Sequence, residues 1–162
     1  MERGLRQFFL ASHRSGKRKF VSMPSRVVDA MWHEFILHTK AYRDWCELAL
    51  GRFLHHTPAE ALGADARRND GLRRAWFWAC REESIDPRHA SRLPLLFALD
   101  AKLQIENGYH YLTDCRSRRE GDTHCAGDFA DGSVAGGASD FGGADAGGTD
   151  GAGGDGGCGG GD

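Results

Sequence analysis

Closely spaced cysteines are absent from this sequence, and this absence argues against one common class of small protein. The five cysteines lie far apart, and no two of them form a CxxC pair. This pattern argues against a disulfide framework. Reduced, unpaired cysteines are typical of a reducing compartment, so we expect a cytoplasmic protein.

Long apolar runs are absent as well. The longest, LPLLFAL at residues 93–99, is far shorter than the ~20 residues that a membrane-spanning helix needs. The first 16 residues contain only a four-residue apolar run, which is too short for the core of a signal peptide. The sequence therefore predicts no association with a membrane.

The familiar catalytic motifs are also missing. There is no GxSxG, and no glycine-rich loop lies between a predicted strand and a helix where it would bind phosphate. His33-Glu34 begins an HExxH zinc motif, but Leu37 stands where the second histidine would be. Nothing in the sequence identifies a substrate or a reaction.

Glycine and charge, by contrast, are distributed very unevenly. Seventeen of the 23 glycines lie after residue 120, whereas all 21 lysines and arginines lie before it. The net charge is +7 for residues 1–119 and −9 for residues 120–162. Since a segment of Gly, Ala and Asp buries too little apolar surface to offset its ordering entropy, we predict a globular domain over 1–119 and a disordered acidic tail over 120–162.

The apolar periodicity of the first part predicts a mostly α-helical domain built on a helical hairpin. The hairpin helices are expected near residues 24–39 and 40–54, although one kinked continuous helix would also fit. Thr57, Pro58 and Glu60 form a capping box for a further helix. Asn107-Gly108 predicts a turn before a short strand. The remaining predicted helices are a short one over 2–12 and one that begins near Pro94.

One end of the predicted hairpin collects metal-ligating side chains. Asp29 and His33 are four residues apart and so lie on one face of the first helix. In an antiparallel hairpin, the end of the second helix returns His55 or His56 to that face, and Cys46 lies partway along. A carboxylate, imidazoles and a thiolate suit Zn²⁺ or Fe²⁺, and an open position on such an ion would activate water, so an enzyme is also consistent with this site. His38 lies on the opposite flank of the helix and is not expected to join.

Simpler interpretations of the same residues stay open. A single buried cysteine such as Cys46 usually packs as a small hydrophobic residue. The proximity of Asp29 and His33 would also be explained by a hydrogen bond between them. The domain would then be an interaction or scaffold module with an unknown protein partner. A third hypothesis is nucleic-acid binding by the basic surface, screened by the acidic tail.

The segments MPSRVVDAMWHEFILHTKAYRDWC and FLHHTPAE resemble the glycine-rich-domain-containing-protein-like family. The resemblance rests on Asp29, Trp32 and His33, with Tyr42 and Cys46 downstream, and it covers about residues 20–115. It implies a small protein of the bacterial type with a glycine-rich tail, although this tail has only one late cysteine. It implies no settled biochemical activity.

Overall fold

The computed structural model describes residues 1–17, 19–57, 66–113, 123–125 and 127–130. It is mostly helical, which confirms the predicted fold class. A two-stranded parallel sheet completes the domain, with β1 beside β2. The elements in chain order are α1 (Glu2–Arg14), α2 (Arg26–Leu37), α3 (Thr39–Leu50), α4 (Ala66–Glu82), α5 (Leu95–Lys102), β1 (His110–Leu112), β2 (Thr123–Cys125) and α6 (Gly127–Ala130).

Helix α1 is the central packing element, because it contacts α2, α4 and α5. Its buried side includes Leu5, Phe8 and Phe9, which recur at helical spacing. Gly4 leaves room for the Leu99 side chain of α5, since a Cβ at this position would clash with the end of that side chain.

Helices α2 and α3 form the predicted pair, but the connection is a single residue. His38 leaves the helical region (φ −81°, ψ 60°), so the chain is not one continuous helix. Helix α3 ends at Gly51, which has the left-handed conformation (φ 64°) that glycine adopts without strain. The second helix is therefore shorter than predicted, and residues 52–57 continue outside it as a non-helical segment.

The later helices agree with the predicted order. Helix α4 ends before Pro87, and α5 follows Pro94, which takes an extended conformation at its start. The capping box predicted at Thr57 extends into residues 58–65, which lie outside the described residues. Asn107 adopts a positive φ of 57° in the predicted turn before β1.

The predicted boundary at residue 120 falls between the two strands. Strand β2 and helix α6 lie beyond it, and the ring of Phe129 on α6 packs near the rings of Trp76, Phe97 and Tyr111. Residues 131–162, the larger part of the predicted tail, lie outside the described residues.

The three cysteines among the described residues are in two chemical states. Cys46 and Cys80 are free and buried, whereas Cys125 is disulfide-bonded. Burial, with the charges of Glu83 and Asp86 nearby, raises the pKa of the Cys80 thiol to about 12, so this thiol stays protonated at neutral pH. The cytoplasmic location remains a prediction. A reducing compartment disfavours disulfides, so the disulfide at Cys125 is a feature that this prediction does not explain.

No helix in the described part of the chain has both the length and the apolar character to cross a membrane.

Candidate metal centre

Asp29, His33 and His56 bring three possible metal ligands together. Each offers one ligand atom, and the three atoms lie within 4.8 Å of one another. The Nε2 of His56 donates to Oδ1 of Asp29 at 2.9 Å, while Nδ1 of His33 lies 3.6 Å from Oδ2 of the same carboxylate. The two imidazole rings are also neighbours, with centroids 4.2 Å apart.

The site opens to solvent on one side. The side chain of His56 is 14% exposed, that of Asp29 is 33% exposed and that of His33 is 53% exposed. His56 is therefore held inside the protein, while His33 forms the outer edge of the cluster. This arrangement makes the cluster accessible from solvent on the His33 side.

Local helix geometry places Asp29 and His33 together. They are i and i+4 on α2, one turn apart on the same face, as the sequence predicts. Asp29 lies in the first turn of the helix, so its position depends on how the start of α2 is fixed.

A buried carboxylate on α5 fixes that start. Asp100 is 1% exposed, and it accepts hydrogen bonds from the Ser25 hydroxyl (2.7 Å) and from the backbone N–H groups of Arg26 (2.8 Å) and Val27 (3.2 Å). It also accepts from the N–H of Tyr109 at 2.9 Å. The first N–H groups of a helix have no partner within the helix, so Asp100 satisfies two of them and places a negative charge at the positive end of the helix dipole.

Sequence reasoning missed Asp100. The available signal was a single acidic residue within the apolar segment LPLLFALDA, at a place where the flanking residues predict burial. A charged residue is almost never fully buried unless it is paired or hydrogen-bonded, so such a position indicates a structural partner.

A hydrogen-bonded tyrosine ties the His56 segment to α2. The indole N–H of Trp32 donates to the Tyr42 hydroxyl (3.1 Å), which in turn donates to the carbonyl oxygen of Leu54 (2.5 Å). The Trp32 ring then meets the His56 ring edge-on, with centroids 4.6 Å apart. Burial raises the pKa of Tyr42, and the neighbouring Cys46 thiol adds to this effect, so the hydroxyl keeps its proton and remains a donor.

Two of the predicted ligands lie outside the cluster. His55 is exposed, and its ring packs against Phe53, 4.8 Å away between centroids. Along residues 53–57 exposure alternates from one residue to the next, so only His56 of the histidine pair faces the protein. Cys46 is fully buried in the core beside Tyr42 and is not part of the group around Asp29.

The ligand atoms of the cluster are near the separations that coordination requires. Bonds of ~2.0–2.2 Å place neighbouring ligand atoms about 3.0–3.5 Å apart. The contact between His56 and Asp29, at 2.9 Å, is close to this range, whereas Nδ1 of His33 lies 3.6 Å from the carboxylate. The set consists of two imidazoles and one carboxylate, without a thiolate.

A second, partly buried carboxylate holds α5, and thereby Asp100, in place. Glu83 accepts hydrogen bonds from the Leu95 N–H at the start of α5, from Arg92 and from Gln7. Burial by itself would raise the pKa of Glu83, but the bonds from Leu95, Arg92 and Gln7 outweigh it and hold that pKa below its ordinary value of 4.5.

This shift predicts a loss of stability in acid. Ionised Glu83 stabilises the folded state above about pH 4.5, and the stabilisation disappears as the pH falls through the lower folded-state pKa. We expect Glu83→Gln to lower the free energy of unfolding by about 1–2 kcal/mol at neutral pH. The difference between wild type and variant should shrink below about pH 4.5, as measured by urea unfolding at a series of pH values. Glu47→Gln, at an exposed position on α3, is the control, and an equal change for both variants would contradict the prediction.

The sequence model of the UCP032817-like family matches residues 1–129. The chain belongs to the UCP032817-like family. The match spans the three residues of the cluster and both carboxylates that hold the helices, so the candidate site lies inside the UCP032817-like region. Membership in this family assigns no activity, and a search of curated proteins and a search of solved structures found no match.

Proposed function

We propose that this UCP032817-like protein binds one Zn²⁺ or Fe²⁺ ion through Asp29, His33 and His56. The observation that carries the proposal is the convergence of three ligand atoms within 4.8 Å, from a helix and from a separate segment of the chain. A function as a metal-binding domain accounts for all three side chains together.

Hydrogen bonding alone explains only part of the cluster. His56 has a good hydrogen bond to Asp29, but the ring nitrogen of His33 lies 3.6 Å from the carboxylate, beyond a normal hydrogen-bond distance. Two imidazoles in ring contact also repel each other when both are protonated. A divalent ion shared by the three groups would use one lone pair from each ring and neutralise the carboxylate.

The donor set indicates which ions fit. Imidazole nitrogen suits zinc and iron, and a carboxylate oxygen is accepted by both. With three protein ligands, at least one position on the ion is left for water. A bound ion would lower the pKa of that water, which is the chemistry a hydrolytic enzyme would use.

Four of the five residues on which the resemblance to the glycine-rich-domain-containing-protein-like family rests lie in or beside the proposed metal site. Asp29 and His33 lie in the cluster, Trp32 contacts His56, and Tyr42 ties the segment that carries His56. The fifth residue, Cys46, lies in the core and is not part of the cluster.

Nucleic-acid binding has less support. Several of the arginines that would contact phosphate are already engaged within the protein: Arg14 pairs with Glu82 at 3.1 Å, and Arg74 donates to the Phe20 carbonyl oxygen. Arg73 and Arg74 both also face Asp70. These intramolecular contacts would compete with phosphate groups for the same guanidinium groups.

Metal content of the full-length chain tests the proposal. Protein purified without chelator is expected to carry about one Zn²⁺ or Fe²⁺ per chain, and the metal-free protein should be stabilised when either ion is added. At a free ion concentration about 100 times the dissociation constant, the stabilisation is roughly 2.7 kcal/mol. His33→Ala should lose most of the bound metal. A chain that contains no metal and is not stabilised by either ion would show that the three residues are structural.

A further inference from the structure

A groove runs between α1, α2 and α3 on the side of α2 away from the metal ligands. Its volume is about 590 Å³, and residues of α1 from Glu2 to His13 line it, a length of about 17 Å along the helix. The floor is apolar and is formed by Leu5, Phe9, Met31, Phe35, Trp45 and Leu50.

Two leucines project from the protein beside this groove. Leu48 is 89% exposed and Leu37 is 72% exposed, and these are the highest exposures among the large hydrophobic side chains of the described residues. Leu48 lies three residues after Trp45 on α3, and Leu37 lies three residues after Glu34 on α2, so each leucine is one turn of helix from a residue that lines the groove, although neither lines it itself. When apolar side chains project beside an apolar groove, the side chains of one copy of the protein can enter the groove of a second copy.

The charges around the groove also favour a second copy of the chain as the partner. Its rim carries the acidic residues Glu2 and Glu34 and the basic or titratable residues Arg6, His13 and His38, all of them exposed. Within the described residues, neither Glu2 nor Glu34 forms an ion pair. A rim of both signs allows a twofold arrangement in which an acid of one copy meets a base of the other.

We infer that the α1–α3 groove is a homodimer interface, in which the groove of one copy receives Leu48 of a twofold-related copy. A small apolar ligand would fill the groove but would leave both leucines in water. A second copy covers the groove and the leucines at once, and it places rim charges of opposite sign opposite each other.

The oligomeric state of the full-length chain tests this inference. Light scattering and sedimentation equilibrium should show a monomer–dimer equilibrium over about a hundredfold range of protein concentration. Leu48→Glu should raise the dimer dissociation constant by about a hundredfold or more, since a twofold interface repeats the substitution. Ala49→Trp, which fills the groove from an exposed lining position, should weaken the dimer as well.

Leu103→Glu is the matched control. Leu103 is also an exposed leucine, at 47%, but it lies at the end of α5 and does not line the groove. Its variant should remain dimeric, and circular dichroism should show the same helix content for all variants. A wild-type chain that stays monomeric across the range overturns the inference, as does a dimer that Leu48→Glu leaves intact or that Leu103→Glu weakens equally.

Discussion

His56→Ala is expected to abolish specific metal binding by the full-length protein. His56 is the least exposed of the three ligands and the one that comes from outside α2, so its loss leaves only Asp29 and His33 on a single helix face. Loss of an outer hydrogen-bond partner typically weakens metal binding by about 10–100-fold, and loss of a ligand should exceed this. Titration of the metal-free protein with Zn²⁺, followed by calorimetry, measures the change.

The neighbouring residue provides the control for that experiment. His55→Ala removes the same imidazole from the next position of the chain, but His55 is exposed and packs against Phe53 instead of Asp29. We expect its metal affinity to stay within about twofold of wild type. If His55→Ala and His56→Ala weakened binding equally, the ion would be bound by the exposed histidines and not by the cluster around Asp29.

Asp100→Ala is expected to have the largest effect on folding. The substitution leaves the buried Ser25 hydroxyl and the partly buried N–H groups of Arg26, Val27 and Tyr109 without their acceptor, and it removes a negative charge from the start of α2. An unsatisfied buried group costs about 1–3 kcal/mol, and several are lost together. We therefore expect the free energy of unfolding to fall by about 3–5 kcal/mol, measured by urea denaturation.

Two further variants separate this effect from a simple change of charge. Asp100→Asn keeps the shape but turns one acceptor into a donor that faces N–H groups, so it should also destabilise the protein, by about 2 kcal/mol. Asp44→Ala removes an exposed carboxylate whose partner is the adjacent Arg43, and it should change stability by less than about 0.5 kcal/mol. Equal effects of Asp44→Ala and Asp100→Ala would show that Asp100 does not hold α2.

Much of the helical architecture was predictable because it depends on local patterns. The apolar spacing in α1, the Ser25 cap of α2, the stop before Pro87 and the Asn107 turn are each decided by residues a few positions apart. The length of α3 was overestimated, since Gly51 ends the helix three residues before the predicted end. A glycine in the sequence is a weak signal of a helix end. It marks the end only where it adopts the left-handed conformation, and the sequence does not show that conformation.

The pairing of β1 with β2 was not predicted. The two strands are three residues each, and their register joins His110 to Thr123 and Leu112 to Cys125. Strands this short carry too few alternating residues to be recognised in sequence. Their pairing depends on contacts with the helical domain, such as those of Tyr111 and Phe129 with Phe97.

The sequence by itself determined that Asp29 and His33 share a helix face, because a spacing of four residues fixes this for any α-helix. It also separated His38 from them for the same reason. The tertiary structure decided between His55 and His56 and placed Cys46 in the core, since these outcomes depend on how a non-helical segment returns to α2 across 27 residues of chain. Only the tertiary structure could bring in Asp100, 71 residues after Asp29, because a buried carboxylate finds its partners through packing and not through spacing along the chain.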